Sequence, residues 1–197
     1  MNDVQDPRPF GRLIAALEPW LDQVVVVGGW AHQLYRLHPH AQELDYLPLM
    51  TLDTDVAVPA RLPVEEQNIR ERLLAHGFTE EFLGDSRPPV THYCLGGEAS
   101  GFYVEFLTPL IGAEYDRNHK RKATMDIAGI VSQQLRHVEL LLHHPSSIDF
   151  ELDGFAARVQ IANPVSFLAQ KVLIHKKRDR DDRAKDILYM HDTLEVD

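Results

Sequence analysis

The sequence predicts an α/β (α+β) fold: a mixed β-sheet with flanking helices and a C-terminal helical segment. Three observations predict it. Strand-like and helix-like patterns alternate through the first half of the chain. Val90 to Leu95 and Gly101 to Leu107 read as an antiparallel pair, which makes the sheet mixed. Two helical stretches follow Asn163-Pro164.

The elements follow in order. Apolar residues at 10, 13, 14 and 17 give Phe10 to Trp20 one helical face, stopped near Pro19. The β-branched run Val24 to Val27 suits a buried strand, and Trp30, Ala31, Leu34 and Leu37 then recur at helical spacing. Leu37 to Met50 reads as a loop. Thr51 to Val58 alternates as a strand ending at Pro59, with Leu52, Val56 and Val58 expected inward. Val64 to His76 reads as an amphipathic helix with Ile69, Leu73 and Leu74 inward and Gly77 as its stop.

Glu80 to Pro89 reads as a surface loop, and Gly96-Gly97-Glu98-Ala99-Ser100 joins the two strands beyond it. In the second strand Tyr103, Glu105 and Leu107 share one face, and Val104 and Phe106 the other. A basic loop spans Arg117 to Lys122, and Val138 to Leu142 reads as a further strand. Asp153-Gly154 between Ser147 to Leu152 and Ala156 to Ile161 is a strong hairpin signal. Helices are expected near Val165 to His175 and Asp182 to Leu194, separated by the charged joint Lys176 to Asp181. The expected organisation is a core over residues 1–112 and a C-terminal region over 113–197, with no internal repeat.

The chain has 197 residues, 44% hydrophobic and 25% charged, an ordinary balance for a soluble globular protein. Its formal charge of −10 argues against generic adhesion to nucleic acid, with no DNA partner expected, or to an anionic membrane; a local basic channel stays open. One cysteine, Cys94, forms no internal disulfide, so a cytoplasmic location is expected. Met1 to Pro7 lacks the basic and apolar regions of a signal peptide, and no apolar run reaches the ~20 residues that cross a bilayer.

Two motifs carry chemistry. In Asp53-Thr54-Asp55 the carboxylates are two residues apart on a strand and so share a face. Crowded carboxylates resist ionising together, and a hard divalent cation, Mg²⁺ or Mn²⁺, removes that penalty. Upstream, Val27-Gly28-Gly29 is a turn where a strand can hand over to a helix whose N–H groups face an anion. Solvent-facing acids and a plain turn are the bland alternatives. A third acid, Glu105, interrupts the apolar run Phe102 to Leu107, where an unpaired buried carboxylate is costly; otherwise it faces water at a sheet edge. Together these are a layout for moving a nucleotidyl group from an NTP.

Near the C-terminus, Lys171 lies in an apolar helical stretch and either snorkels to solvent or reaches a triphosphate. Lys185 and Asp186 are either surface charge near a helix start or part of a nucleotide cleft. The chain has 11 histidines, but His38-Pro39-His40 and His143-His144 join no zinc-ligand pattern with cysteine. No nucleophile elbow or covalent mechanism is visible.

These residues resemble the polymerase-β nucleotidyltransferase superfamily, through Val24 to Ala31, Asp53-Thr54-Asp55 and Glu105. Gly28-Gly29-Trp30-Ala31 is similar to the opening of some antibiotic nucleotidyltransferases. Lys171 with Arg183-Ala184-Lys185-Asp186 resembles the toxin-type bacterial enzymes of abortive-infection systems, and the whole chain looks like a bacterial group known only as nucleotidyltransferase. The resemblance implies a nucleotidyltransferase-type mixed sheet, two catalytic metals and an NTP donor. It implies Asp53 and Asp55 as metal ligands and Glu105 as third acid and base. It also implies Gly28, Gly29, Lys171, Lys185 and Asp186 at nucleotide-site positions, with region 113–197 completing the cleft. Two departures stand out: Trp30 occupies the place where many members put a serine or threonine to hold phosphate, and the third acid is often Asp rather than Glu.

Two other functions compete with NMP transfer to a hydroxyl of an unidentified small molecule, protein or RNA. One is a degenerate fold binding a nucleotide or partner without turnover, which Trp30 favours. The other is a toxin-type enzyme acting on tRNA, which only the cations from Lys176 to Lys185 favour against the net charge.

Overall fold

A computed structural model describes residues 6–47, 51–63, 65–96, 101–115 and 117–196. The helices are α1 (Arg8–Ala16), α2 (Gly28–Tyr35), α3 (Ile69–Ala75), α4 (Val138–Leu141), α5 (Pro164–Ile174) and α6 (Arg180–Val196). The strands are β1 (Val25–Val27), β2 (Asp53–Ala57), β3 (Phe78–Leu83), β4 (Val90–Leu95), β5 (Phe102–Pro109), β6 (Thr124–Ile127), β7 (Ile130–Leu135), β8 (Ser146–Leu152) and β9 (Phe155–Ile161). These strands join one mixed sheet, seven of them in the order β3-β4-β5-β2-β1-β9-β8, with β6 and β7 off that path. The outer side of β5 is shared: its first residues pair antiparallel with β4 and its last pair parallel with β7, which carries β6.

The Val24 to Val27 run explains why both faces of the sheet centre are covered. Val24 and Val26 enter the larger core with Val56, Val104, Phe106 and the apolar faces of α1, α2 and α3. Val25 and Val27 face the other way, into a smaller core with Ala57, Leu107, Leu135 and the α4 residues Val138 and Leu141. The predicted faces of the strand from Phe102 hold: Phe102, Val104 and Phe106 are buried in the larger core. Asp153 and Gly154 take φ of 50° and 81°, the left-handed pair of a tight hairpin turn, and β8 and β9 pair in register around them.

Several local expectations are corrected. Residues 78–83 form an edge strand, β3, where a surface loop was expected from Glu80; all six pair with β4. One solvent face and only one neighbour leave Glu80, Glu81 and the exposed Phe82 without an apolar alternation. Val138–Leu141 is a helical turn rather than a strand, because a short apolar run fits either until its neighbours decide. The hairpin β6–β7 lay unpredicted beside the basic loop; its turn is Ala128-Gly129, without the Asn-Gly or Asp-Gly signal.

Helix α1 ends at Ala16, and a 3₁₀ turn, Glu18–Trp20, completes the segment. Helix α3 starts at a capping box, Asn68 with Glu71, not near Val64, which lies outside the described residues, as do 97–100 of the loop between β4 and β5. Leu74 and Leu52 are exposed rather than inward. Among the described residues no helix is long and apolar enough to cross a membrane.

Candidate active site

Strand register gathers the acids. Antiparallel pairing sets Asp55 opposite Val27, the residue before the glycine pair, and parallel pairing sets it opposite Glu105 on its other side. Asp53 stands opposite Tyr103. Since residues two apart on a strand share a face, Asp53, Asp55 and Glu105 project from the same side of β2 and β5. Burial, then the charges of Glu105 and Asp53, push the Asp55 carboxyl up to about 7, while Lys171 and Lys185 pull against that rise. Three acids and two lysines therefore share one field.

The glycines fit the acids closely. Gly28 has φ +68°, and a Cβ there would lie 2.7 Å from Asp55 Oδ2. A Cβ on Gly29 would overlap the Thr51 methyl group and stand 2.8 Å from Tyr189 Oη. Both glycines open α2, whose N-cap residue, Val27, offers no side-chain acceptor to the first-turn N–H groups. Gly29→Ala is expected to cost about 1–3 kcal/mol of stability in urea unfolding, because Thr51 and the buried Tyr189 hold the space. An unchanged midpoint would mean that this contact relaxes freely.

Trp30 turns away from the acids. It is buried in the larger core, stacked on Phe10 at 4.3 Å and edge-on to Phe102. Beside Gly29 stand the Thr51 methyl group and the Tyr189 hydroxyl, and Thr51 hydrogen-bonds Tyr189.

The predicted C-terminal residues all reach the same region. Lys185 Nζ lies 3.8 Å from Asp53 Oδ2. Lys171 neither snorkels freely nor stands alone: its Nζ donates to Asp186 Oδ1 at 2.6 Å, and Arg178 Nε donates to Asp186 Oδ2 at 3.2 Å. Asp186 is buried, so it is an anchor between two cations rather than surface charge complementing the helix dipole.

Glu105 lies on an interior strand, not at a sheet edge. It meets His92 Nε2 at 2.5 Å and accepts from Gln133 Nε2 at 2.8 Å, and His92 stacks on Tyr103 at 4.5 Å. Among the described residues no group of three or more His, Cys, Asp or Glu side chains is arranged to hold a metal ion. Asp53 and Asp55 nevertheless supply hard oxygens that suit Mg²⁺ or Mn²⁺, and Asp55, raised by burial first and then by the charges of Glu105 and Asp53, is a carboxyl whose ionised form a cation would favour. Those two suit such an ion; Glu105 is engaged by His92 and Gln133.

Residues 9–196 match a family model described as Nucleotidyltransferase. The chain belongs to that family. No curated protein and no solved structure matches it. Sequence reasoning missed several residues around the site of this nucleotidyltransferase. His92 and Gln133 reach Glu105 only through strand pairing, which no local pattern reveals. Tyr189 was findable: Asp186, Tyr189, Asp192, Thr193 and Val196 recur at helical spacing on the buried side of α6. Behind it His32 stacks on Tyr189 at 4.8 Å, and burial holds its imidazole down at about 4, so that it is neutral near pH 7.

Proposed function

We propose that this nucleotidyltransferase moves an NMP from an NTP to a hydroxyl of an acceptor and releases pyrophosphate. The observation that carries the reading is the crowding at Asp55, with two acids beside it and two lysines facing it. Asp53 and Asp55 would hold Mg²⁺ or Mn²⁺, and Glu105, the third acid, would accept the proton of the attacking hydroxyl. Such a cation would supply charge to neutralise phosphate oxygens and to lower the pKa of the attacking hydroxyl. The first-turn N–H groups of α2 at Gly28 and Gly29 take phosphate oxygens, which the absence of a side-chain cap supports. Lys171 and Lys185 add positive charge from the C-terminal side, Asp186 holding the former in place; in this reading region 113–197 completes the cleft over the core of 1–112.

The degenerate, non-catalytic alternative drew on Trp30, which serves the core, and the hydroxyl that stands near Gly29 is that of Tyr189. A reducing cytoplasm suits a chain with a single, unpaired cysteine.

Thermal unfolding with each of the four NTPs, in Mg²⁺, Mn²⁺ or EDTA, tests the donor site. A nucleotide at 100 times its Kd is expected to add ~2.7 kcal/mol in the presence of metal. The gain should vanish in EDTA and in Asp53→Asn/Asp55→Asn. No metal-dependent shift with any NTP would sink the transferase reading.

A further inference from the structure

A concavity lies on the face of the sheet that carries the acids. Leu135 lines it, and Leu135 packs in the same small core as Leu107, two residues beyond Glu105 on the same side of β5. The concavity encloses about 260 Å³, with an apolar wall of Leu110, Leu135 and Ile174 and a basic rim of Arg121, Arg136 and Lys177.

Three continuities tie it to the candidate active site. Gln133 holds Glu105, and the next two residues line the concavity. Gln170 lines it, and the next residue is Lys171. Arg178 lines it while donating to Asp186, the anchor of Lys171. Strand order then fixes the sides: the glycine pair follows β1, the paired acids sit on β2, Glu105 on β5, and the concavity where β5 meets β7. Phosphate-binding glycines and concavity flank the acids from opposite sides. In-line displacement requires the attacking oxygen and the leaving pyrophosphate to lie on opposite sides of the α-phosphorus.

The charge of the rim narrows the ligand. Arg121 and Arg136 share a single carboxylate, Glu114, at 3.4 and 3.5 Å. Lys177 makes no ion pair among the described residues. Arg178 is already matched by Asp182 and Asp186. The rim thus carries an excess of two positive charges in a chain of net −10. Guanidinium groups suit phosphate oxygens, and the enclosed volume suits a small molecule.

Resting on the proposed transfer reaction, we infer that this concavity is the acceptor site and that the acceptor is a small hydroxylated phosphate monoester of the sugar-phosphate kind. Its phosphate dianion sits on Arg121, Arg136 and Lys177. Its hydroxyl oxygen forms a bond to the α-phosphorus of the NTP, the bond from that phosphorus to the α,β-bridging oxygen breaks, pyrophosphate leaves with the electron pair, and the hydroxyl proton passes to Glu105.

Calorimetric titration with inorganic phosphate, ribose 5-phosphate, ribose and a 5′-phosphorylated oligonucleotide tests this, beside a separate MgATP titration. Ribose 5-phosphate should bind and ribose should not. Arg136→Met/Lys177→Met should weaken ribose 5-phosphate at least tenfold while leaving MgATP binding in place, which also shows that the variant folds; Lys177→Arg should retain the ester. Where the separate titration shows MgATP binding, failure of the wild type to bind either phosphate probe, or undiminished ester binding by the double variant, overturns the acceptor inference alone. Preference for the oligonucleotide also overturns it, by assigning the rim to a nucleic-acid end. Failure of MgATP to bind the wild type removes the transfer reading and the acceptor role with it, whatever the phosphate probes do.

Discussion

Asp55→Asn is expected to abolish nucleotidyl transfer, by roughly 10³-fold or more, and at the same time to make the folded chain more stable above pH 7 in the absence of divalent cations. The two effects share one cause. Burial, Glu105 and Asp53 raise the Asp55 carboxyl from 3.8 to about 7 in the folded chain. Below 3.8 the carboxyl is neutral both folded and unfolded, and nothing is lost. Between 3.8 and about 7 the unfolded chain is ionised while the folded chain keeps its proton, so stability falls as pH rises. Above about 7 both are ionised and the whole penalty is present, on the order of a few kcal/mol.

Asparagine keeps the shape of Asp55 beside Gly28 and carries no charge, so it removes that penalty. In EDTA the variant should unfold at a higher temperature than the wild type at pH 8, with the gap closing toward pH 4. Mg²⁺ or Mn²⁺ should raise the wild-type midpoint at pH 8 and leave the variant nearly unmoved. Asp53→Asn should also lose turnover, with a fold that stays intact by circular dichroism. A variant at position 55 that is less stable than wild type at pH 8 would show that Asp55 is held by attraction rather than crowded by like charge, and the cation site would lose its main support.

The parts of this site visible in the sequence are those that local geometry controls. Asp53 and Asp55 share a face because strands have a period of two, and that period holds wherever the strand goes. Gly28 reads as a turn because its backbone must adopt a positive φ. Glu105 is visible as an acid in an apolar run, but its place opposite Asp55 is a fact of register between chain segments 50 residues apart, which no local pattern encodes. His92 and Gln133 are missed for that reason. The strand from Phe78 is missed for another: at the sheet edge its residues need only one neighbour and one dry face, so Thr79 to Phe82 need not look like a strand. Trp30 shows the limit of reading a motif by position. As the third residue of the turn it looks like a lost phosphate contact, but the helix rotates it onto Phe10, while the Thr51 methyl group and the Tyr189 hydroxyl pack against Gly29.

Asp186→Ala should be the most destabilising single change at the C-terminal side of the cleft, costing about 3–5 kcal/mol. Asp186 is 2% exposed and accepts from both Lys171 and Arg178, so its removal strands the shielded Lys171 amine beside Arg178, which keeps only Asp182. The Lys171 amine is largely shielded as well and cannot turn fully to water without disturbing α5. Asp186→Asn keeps the shape and one acceptor oxygen but not the charge, and should lie between wild type and alanine. Adding Lys171→Met to Asp186→Ala should recover part of the loss, because removing both charges is cheaper than stranding one. Urea unfolding of the wild type, both single variants and the double variant measures the coupling directly. A double variant whose loss equals the sum of the singles would show that Lys171 and Asp186 act independently. Lys171 would then stand free to meet a phosphate by itself. Positive coupling assigns Asp186 the task of holding that amine within reach of Asp55, and any effect of Asp186→Asn on NTP affinity should then disappear in a Lys171→Met background.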